Sequence, residues 1–285
     1  MTNAHVDVAV VGTLNLDIVI HVERMPDSGE TVMGRSKSER PGGKGANQAL
    51  AAATVGTTAL IGIVGGDDAA DRMLDAQLAG GVDVTHVRRT EGISGQAVIE
   101  VDDSGANRII VLSGANGSLT ADDVRHSLDA ADPRIVLTQL ESPREVTAAV
   151  AAWCTRNGRR MLLNPSPVDE LDPTILAAAD PLVVNEHEAA FYAPTTSDDP
   201  ETLARQLLDV ARSVLITLGG DGVIAAADGN VERIAVEPVD VVDTTGAGDM
   251  FAGVLAAHLA TGSEMLEAVR LATTAATELV AQQRE

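Results

Sequence analysis

The sequence predicts an α/β protein built on a mainly parallel β-sheet, and three observations carry that expectation. Short, nearly continuous apolar runs recur at residues 6–11, 59–64, 135–137, 161–163, 182–184 and 214–216, the look of strands buried on both faces. Segments with helical spacing lie between most of these runs, the alternation that places helices against a parallel sheet. A chain of 285 residues with 45% hydrophobic content buries a core large enough for one substantial domain with a small appendage.

In chain order, the first run ends at Gly12. Residues 15–38 fit a layered sheet poorly, because short alternating pieces at 17–22 and 30–33 flank a Pro26/Gly29 turn. A second stretch, 96–112, reads as a hairpin with arms at 96–101 and 108–112. Both are assigned to a small β appendage with one face to cover, suited to a lid over a site or to contact with a second copy. A helix is expected over 46–55, stopped by Gly56, and another over 67–78, stopped by Gly80 and Gly81. Ser142 and Pro143 open a third, over 143–156, which stops near Gly158. Asp228-Gly229-Asn230 marks a hairpin between 223–227 and 231–236, followed by helices over 247–260 and 264–282.

Acidic residues outnumber basic ones 42 to 20, and Lys37 and Lys44 are the only lysines. That balance argues against nucleic acid or an anionic membrane surface as a partner. The single cysteine, Cys154, allows no intrachain disulfide and reads as a core residue. With no leader pattern and no apolar run near the roughly 18 residues of a span, the expectation is a soluble, cytoplasmic protein.

Chemistry concentrates in Asp243-Thr244-Thr245-Gly246-Ala247-Gly248-Asp249, where two glycines turn the chain into a helix. Free amides and the positive end of the dipole there attract anions. Asp249 inside that trap reads either as a helix cap or as a base that takes a proton from an attacking hydroxyl. Pro41-Gly42-Gly43-Lys44-Gly45-Ala46-Asn47-Gln48 is not a P-loop, since Gly45 follows the lysine where Ser or Thr belongs. Gly246-Ala247-Gly248 is no dinucleotide fingerprint either, since Phe251 replaces its last small residue. The glycines before the helix would instead let a small hydroxylated ligand approach the backbone, with Lys44 and Asn47 bonding it.

Asn15 and Asp17 leave the first strand on one face, a spacing for vicinal hydroxyls or for an ordinary turn. Glu141 follows the strand at 135–137, where open α/β sheets bind ligands. Asn185 and Glu188, three apart on an opening helix, fit either a capping box or Mg²⁺ held through water. His187 lacks a second histidine four residues away, which argues against zinc. Thr217-Leu218-Gly219-Gly220 ends another strand with a loop suited to nucleotide phosphates or to a plain turn.

Together these motifs, with Gly114-Ala115-Asn116 and Gln139-Leu140-Glu141, resemble the ribokinase (PfkB-type) family of carbohydrate kinases in register along nearly the whole chain. The resemblance implies a three-layer ribokinase-like fold, with residues 1–285 as a single kinase domain carrying a β lid over about 15–38 and 96–112. It implies ATP-dependent phosphorylation of the 5-hydroxyl of D-ribose. Asn15, Asp17, Gly43, Lys44, Asn47 and Glu141 resemble the sugar-binding set. Asp249 resembles the catalytic base, with the amides of Gly246, Ala247 and Gly248 stabilising the transferring charge. Asn185 and Glu188 resemble the Mg²⁺-associated pair, and Asn185, Thr217, Gly219 and Gly248 the nucleotide contacts. The lid resembles one that clasps a second subunit, so a homodimer is implied.

Two departures stand out. Family members continue past the last helix into a loop that helps hold K⁺, whereas this sequence ends at Gln282-Gln283-Arg284-Glu285; Asp243 and Thr245 match the other half of that cation site. Thr273 and Thr274 also stand where relatives place Asn or His near the nucleotide. The rival readings are a kinase of deoxyribose, another pentose, a ketohexose or a nucleoside, and a catalytically inactive sugar sensor. Few aromatics, one Trp, one Tyr and two Phe, argue against stacking a nucleoside base.

Overall fold

A computed structural model describes residues 5–282. In chain order its first elements are β1 (Val8–Val11), β2 (Asn15–His21), β3 (Ser36–Gly42), α1 (Lys44–Ala53), β4 (Thr58–Val64), α2 (Asp68–Ala79), β5 (Val87–Arg89), β6 (Gly95–Val101) and β7 (Asn107–Leu112). Next come α3 (Ala121–Ala131), β8 (Ile135–Thr138), α4 (Arg144–Asn157), β9 (Arg160–Leu163), α5 (Pro173–Ala178), β10 (Ala179–Asn185), α6 (Glu186–Tyr192) and α7 (Pro200–Leu207). The chain closes with β11 (Ser213–Thr217), β12 (Val223–Ala227), β13 (Asn230–Ile234), α8 (Ala247–Ala260) and α9 (Met265–Ala281).

Nine strands form one sheet in the order β13-β12-β11-β10-β9-β8-β1-β4-β5. All pairings are parallel from β11 through β5, and the β12–β13 hairpin is added antiparallel at one edge. Alternation along the strands divides the core into two layers. Ala9, Val11, Ile61 and Ile63 face a layer with Leu128, Val150, Trp153 and Leu207 from α3, α4 and α7. Val8, Val10, Leu60 and Val64 face the other, with Ala49, Met73, Leu255 and Val269 from α1, α2, α8 and α9. Cys154 is buried in the first layer, as expected, and burial pushes its thiol up to about 12.

A second sheet of four strands, β3-β2-β6-β7, springs from the end of β1 through residues 12–14. Its centre is the parallel β2–β6 pair, with β3 and β7 antiparallel outside. The alternating piece at 30–33 is not a strand; β3 forms at Ser-Lys-Ser-Glu-Arg-Pro-Gly instead, and Met33 is 85% exposed. A polar edge strand needs only a neighbour to pair with, and β2 supplies seven consecutive partners.

Candidate functional site

The C-terminal ends of the parallel strands converge on one edge of the sheet, where open α/β folds gather ligand-binding groups. Gly12 follows β1, Gln139 and Glu141 follow β8, Asn164 follows β9, and Asn185 and Thr217 end β10 and β11. The N-termini of α1 and α8 point to the same edge.

Asp249 lies in the first turn of α8 but does not cap it; Gly246, at φ 77°, is the cap residue and no side chain closes that end. The carboxylate is held by α1 instead. Asn47 Nδ2 donates to Oδ2 at 3.2 Å, and Gln48 Nε2 donates to Oδ1 at 2.9 Å. Burial holds its pKa above the ordinary carboxylate range, opposed by the Lys44 ammonium and the two amide donors, and reinforced by Glu141. Asp17 shows the same balance: burial, with help from Glu141 and Asp249, pushes its carboxyl up to about 6 against the Arg40 guanidinium 3.9 Å away.

Glu141 accepts from the Thr13 hydroxyl at 2.5 Å and from the Lys44 amide at 3.1 Å. It therefore ties the start of α1 to the loop after β1, a carboxylate at the positive end of a helix. Asn15 is 4% exposed, and its Oδ1 accepts from Asn116 Nδ2 at 2.8 Å; Asn116 also bonds the Leu14 amide and carbonyl. The structure thus gathers Asn15, Asp17, Gly43, Lys44, Asn47, Glu141 and Asp249 where the smaller sheet meets the edge of the larger one.

The glycines before α1 also have a packing role within the chain. A Cβ at Gly42 would lie 2.3 Å from Asp17 Oδ2, one at Gly43 2.8 Å from Thr13 O, and one at Gly45 2.5 Å from Gly12 C. The space is filled by this chain's own backbone and Asp17, so these glycines let α1 seat against the β1–β2 loop. Gly253 does the same where α8 crosses α1: a Cβ there would meet Gln48 O at 2.4 Å and Ala51 Cβ at 2.6 Å. That close crossing brings Asn47 and Gln48 to Asp249.

Within the expected anion hole, the Ala247 amide donates to Thr244 O at 3.2 Å, closing a turn. Asn185 and Glu188 form a full capping box on α6: Glu188 N donates to Asn185 Oδ1 at 2.8 Å and Asn185 N to Glu188 Oε2 at 2.9 Å. No cluster of three or more His, Cys, Asp or Glu side chains among the described residues is arranged to hold a metal ion.

Beside α8 lies a cavity of about 370 Å³. Thr217, Gly219, Gly248, Phe251, Val241 and Thr273 are among the residues that line it; Asn185, though in register with Thr217, is not in its wall. The Thr273 and Thr277 hydroxyls there donate to Val269 O and Thr273 O. Asp243 is anchored where its amide and that of Val242 reach Val280 O at the end of α9, and its Oδ1 accepts from Thr245 N at 2.8 Å. Gln283, Arg284 and Glu285, on which the expected loss of the K⁺ loop turns, lie outside the described residues.

Sequence reasoning gave Thr13, Gln48, Gln139 and Asn116 no role, and it missed Asn164. Gln48 and Gln139 are buried amides at 0% and 1% exposure. Amides that deep must be hydrogen-bonded, and the partners come from segments about 90 to 200 residues away.

A family model described as pfkB family carbohydrate kinase matches residues 6–284. A ribokinase of Bacillus subtilis is 35% identical over 273 residues, covering 95% of this chain and 91% of its own length. A deoxyribokinase of Salmonella typhi is 31% identical over 93% of this chain and 90% of its own. Among solved structures, an Arabidopsis thaliana ribokinase complexed with ribose and ATP superposes with a TM-score of 0.89 at 28% identity, covering 99% of this chain and 94% of that one.

Proposed function

The chain belongs to the pfkB family of carbohydrate kinases, as an ATP-dependent sugar kinase, and we propose that its substrate is D-ribose, phosphorylated on the 5-hydroxyl. The observation that carries this reading is the buried carboxylate of Asp249 at the α8 N-terminus, beside the polar group formed by Asn15, Asp17, Lys44, Asn47 and Glu141. Asp17, Asn15 and Glu141 accept from the sugar hydroxyls, while Asn47 and Lys44 donate. Asp249 takes the proton of the 5-hydroxyl as its oxygen attacks the γ-phosphorus of ATP, and ADP leaves.

The first turn of α8 faces the charge that moves. Amides there lack partners within the helix, so Gly246 and Gly248 stabilise the transferring phosphoryl group; the Ala247 amide joins only if its turn to Thr244 opens. Adenosine occupies the cavity lined by Thr217, Gly219 and Phe251, with Gly248 between base and phosphates.

Mg²⁺ fits Asn185 and Glu188 through water, since the capping box already occupies Asn185 Oδ1 and Glu188 Oε2. That donor set suits an ion that keeps its waters and takes its remaining contacts from phosphate. When bound, Mg²⁺ neutralises charge on the β- and γ-phosphates. A K⁺ ion would take Asp243 and Thr245, which sit against the end of α9 beside the α8 turn.

We read residues 1–285 as one domain carrying the lid. A homodimer through that lid is supported by β7, where Ile109, Ile110 and Val111 are each more than half exposed. No helix among the described residues is long and apolar enough to cross a membrane, and a cytoplasmic location suits an ATP-using enzyme. Deoxyribose is the second reading, favoured by the similarity to the Salmonella typhi deoxyribokinase. A coupled ADP-release assay over pentoses, hexoses and nucleosides, with and without K⁺, tests both. Highest kcat/KM on D-ribose supports the proposal; higher kcat/KM on deoxyribose or a hexose replaces it.

A further inference from the structure

We propose that Gln48 is a positioning residue, whose side-chain amide fixes the orientation and acidity of the Asp249 carboxylate through a buried relay reaching across the sheet. Gln48 is fully buried in α1, and its three polar contacts leave its amide one orientation. Nε2 spends both hydrogens, on Asp249 Oδ1 at 2.9 Å and on Asn164 Oδ1 at 3.1 Å. Oε1 accepts from Gln139 Nε2 at 2.5 Å. Behind these, Asn164 Nδ2 donates to Val183 O at 3.1 Å, and the Thr147 hydroxyl donates to Gln139 O at 3.3 Å. One carboxylate oxygen is thus coupled to residues following β8 and β9, to β10 and to α4.

The relay also fixes the direction of Gln139. Gln139 Oε1 is buried without a hydrogen-bond partner among the described residues, and a Cβ on Gly12 would fall 2.2 Å from it. Turning the Gln139 amide over would bring its oxygen against Gln48 Oε1, so the orphan follows from the direction in which Gln48 is held. Buried orphan acceptors are costly and rare.

Two consequences follow for Asp249, and both rest on its reading as the base. Gln48 locks Oδ1, which leaves Oδ2, shared with the outer amide of Asn47, as the oxygen open to the sugar hydroxyl. Gln48 also favours the ionised form. The other charged groups acting on Asp249 are Lys44 from α1 and Glu141 after β8; Asp17 from β2, with Arg40 from β3 beside it, lies close enough to feel Asp249 in turn.

The test is the pH profile of kcat with D-ribose and ATP for Gln48→Met, with Asp249→Asn assayed in parallel. Gln48→Met keeps side-chain length but removes the donor. We expect kcat to fall about 10- to 100-fold, the sugar KM to change less than about threefold, and the acid limb to move to higher pH. A kcat and limb like those of the parent overturn the inference, and so does a lower kcat with an unmoved limb. If Asp249→Asn retains full turnover, it is the base reading that fails. Should Gln48→Met not fold, Gln139→Leu decides, since it removes the orphan oxygen together with the donor that holds Gln48. A smaller limb shift in the same direction supports the relay, and an unmoved limb overturns it.

Discussion

The two ends of the proposed site, for sugar acceptor and nucleotide donor, are built on opposite principles. At the acceptor end, side chains from β2, α1, the loops after β8 and β9, and α8 interlock around Asp17, Glu141 and Asp249, and glycines are required wherever backbones touch. At the donor end, the cavity is mostly apolar, the Thr273 and Thr277 hydroxyls turn back on α9, and its loops carry exposed valines at 239, 241 and 242. The first end fixes charge and direction; the second offers shape. Substitutions should therefore cost far more at the acceptor end than at the donor end, and that asymmetry can be broken experimentally.

The largest expected effect is at Asp249. Asp249→Asn should lower kcat by about 10²- to 10⁴-fold with an unchanged circular dichroism spectrum. Next is Gly253, whose added Cβ pushes α1 away from α8. Gly253→Val should destabilise the fold by about 1–3 kcal/mol in urea unfolding and lower kcat about 10- to 100-fold by displacing Asn47 and Gln48.

Asp17 gives a pH signature. Its folded pKa, about 6, lies above its ordinary value of 3.8, so the associated stabilisation is complete below the ordinary value and is lost as pH rises through about 6. Asp17→Asn should flatten the stability profile between those values, by up to about 3 kcal/mol before solvent screening. The sugar KM of the parent should rise as pH falls below about 6, because the protonated carboxyl accepts fewer hydrogen bonds. The smallest effect is expected at the donor end: Thr277→Val should change the KM for ATP by less than about twofold, since that hydroxyl already serves Thr273 O. A tenfold rise would show that the donor end reads its ligand through side chains after all.

The same contrast explains what the sequence made legible. The long apolar strands and α8 were readable because burial on both faces leaves a continuous hydrophobic run. Asp249 stood out because it brings a carboxylate to a glycine-flanked helix start whose free amides attract anions. The strand at Ser36–Gly42 was hidden, since its residues have low β preference and pair only because β2 is there. The packing role of the glycines before α1 was hidden, because what a glycine makes room for depends on a neighbour, here Thr13 and Asp17, that spacing does not name. Gln48, Gln139 and Asn164 were silent for a related reason: an amide reveals its function only through partners brought together by the fold. For Asn185 and Glu188 the capping box and the ion-binding reading share one spacing, and the capping box is the interaction the structure contains.

The most direct test of the account measures D-ribose affinity by calorimetry and turnover by ADP release on the same Asp249→Asn protein. The account predicts ribose affinity within about threefold of the parent while turnover falls by at least about 10². Turnover retained at the parental rate, or ribose binding lost together with turnover, would contradict it.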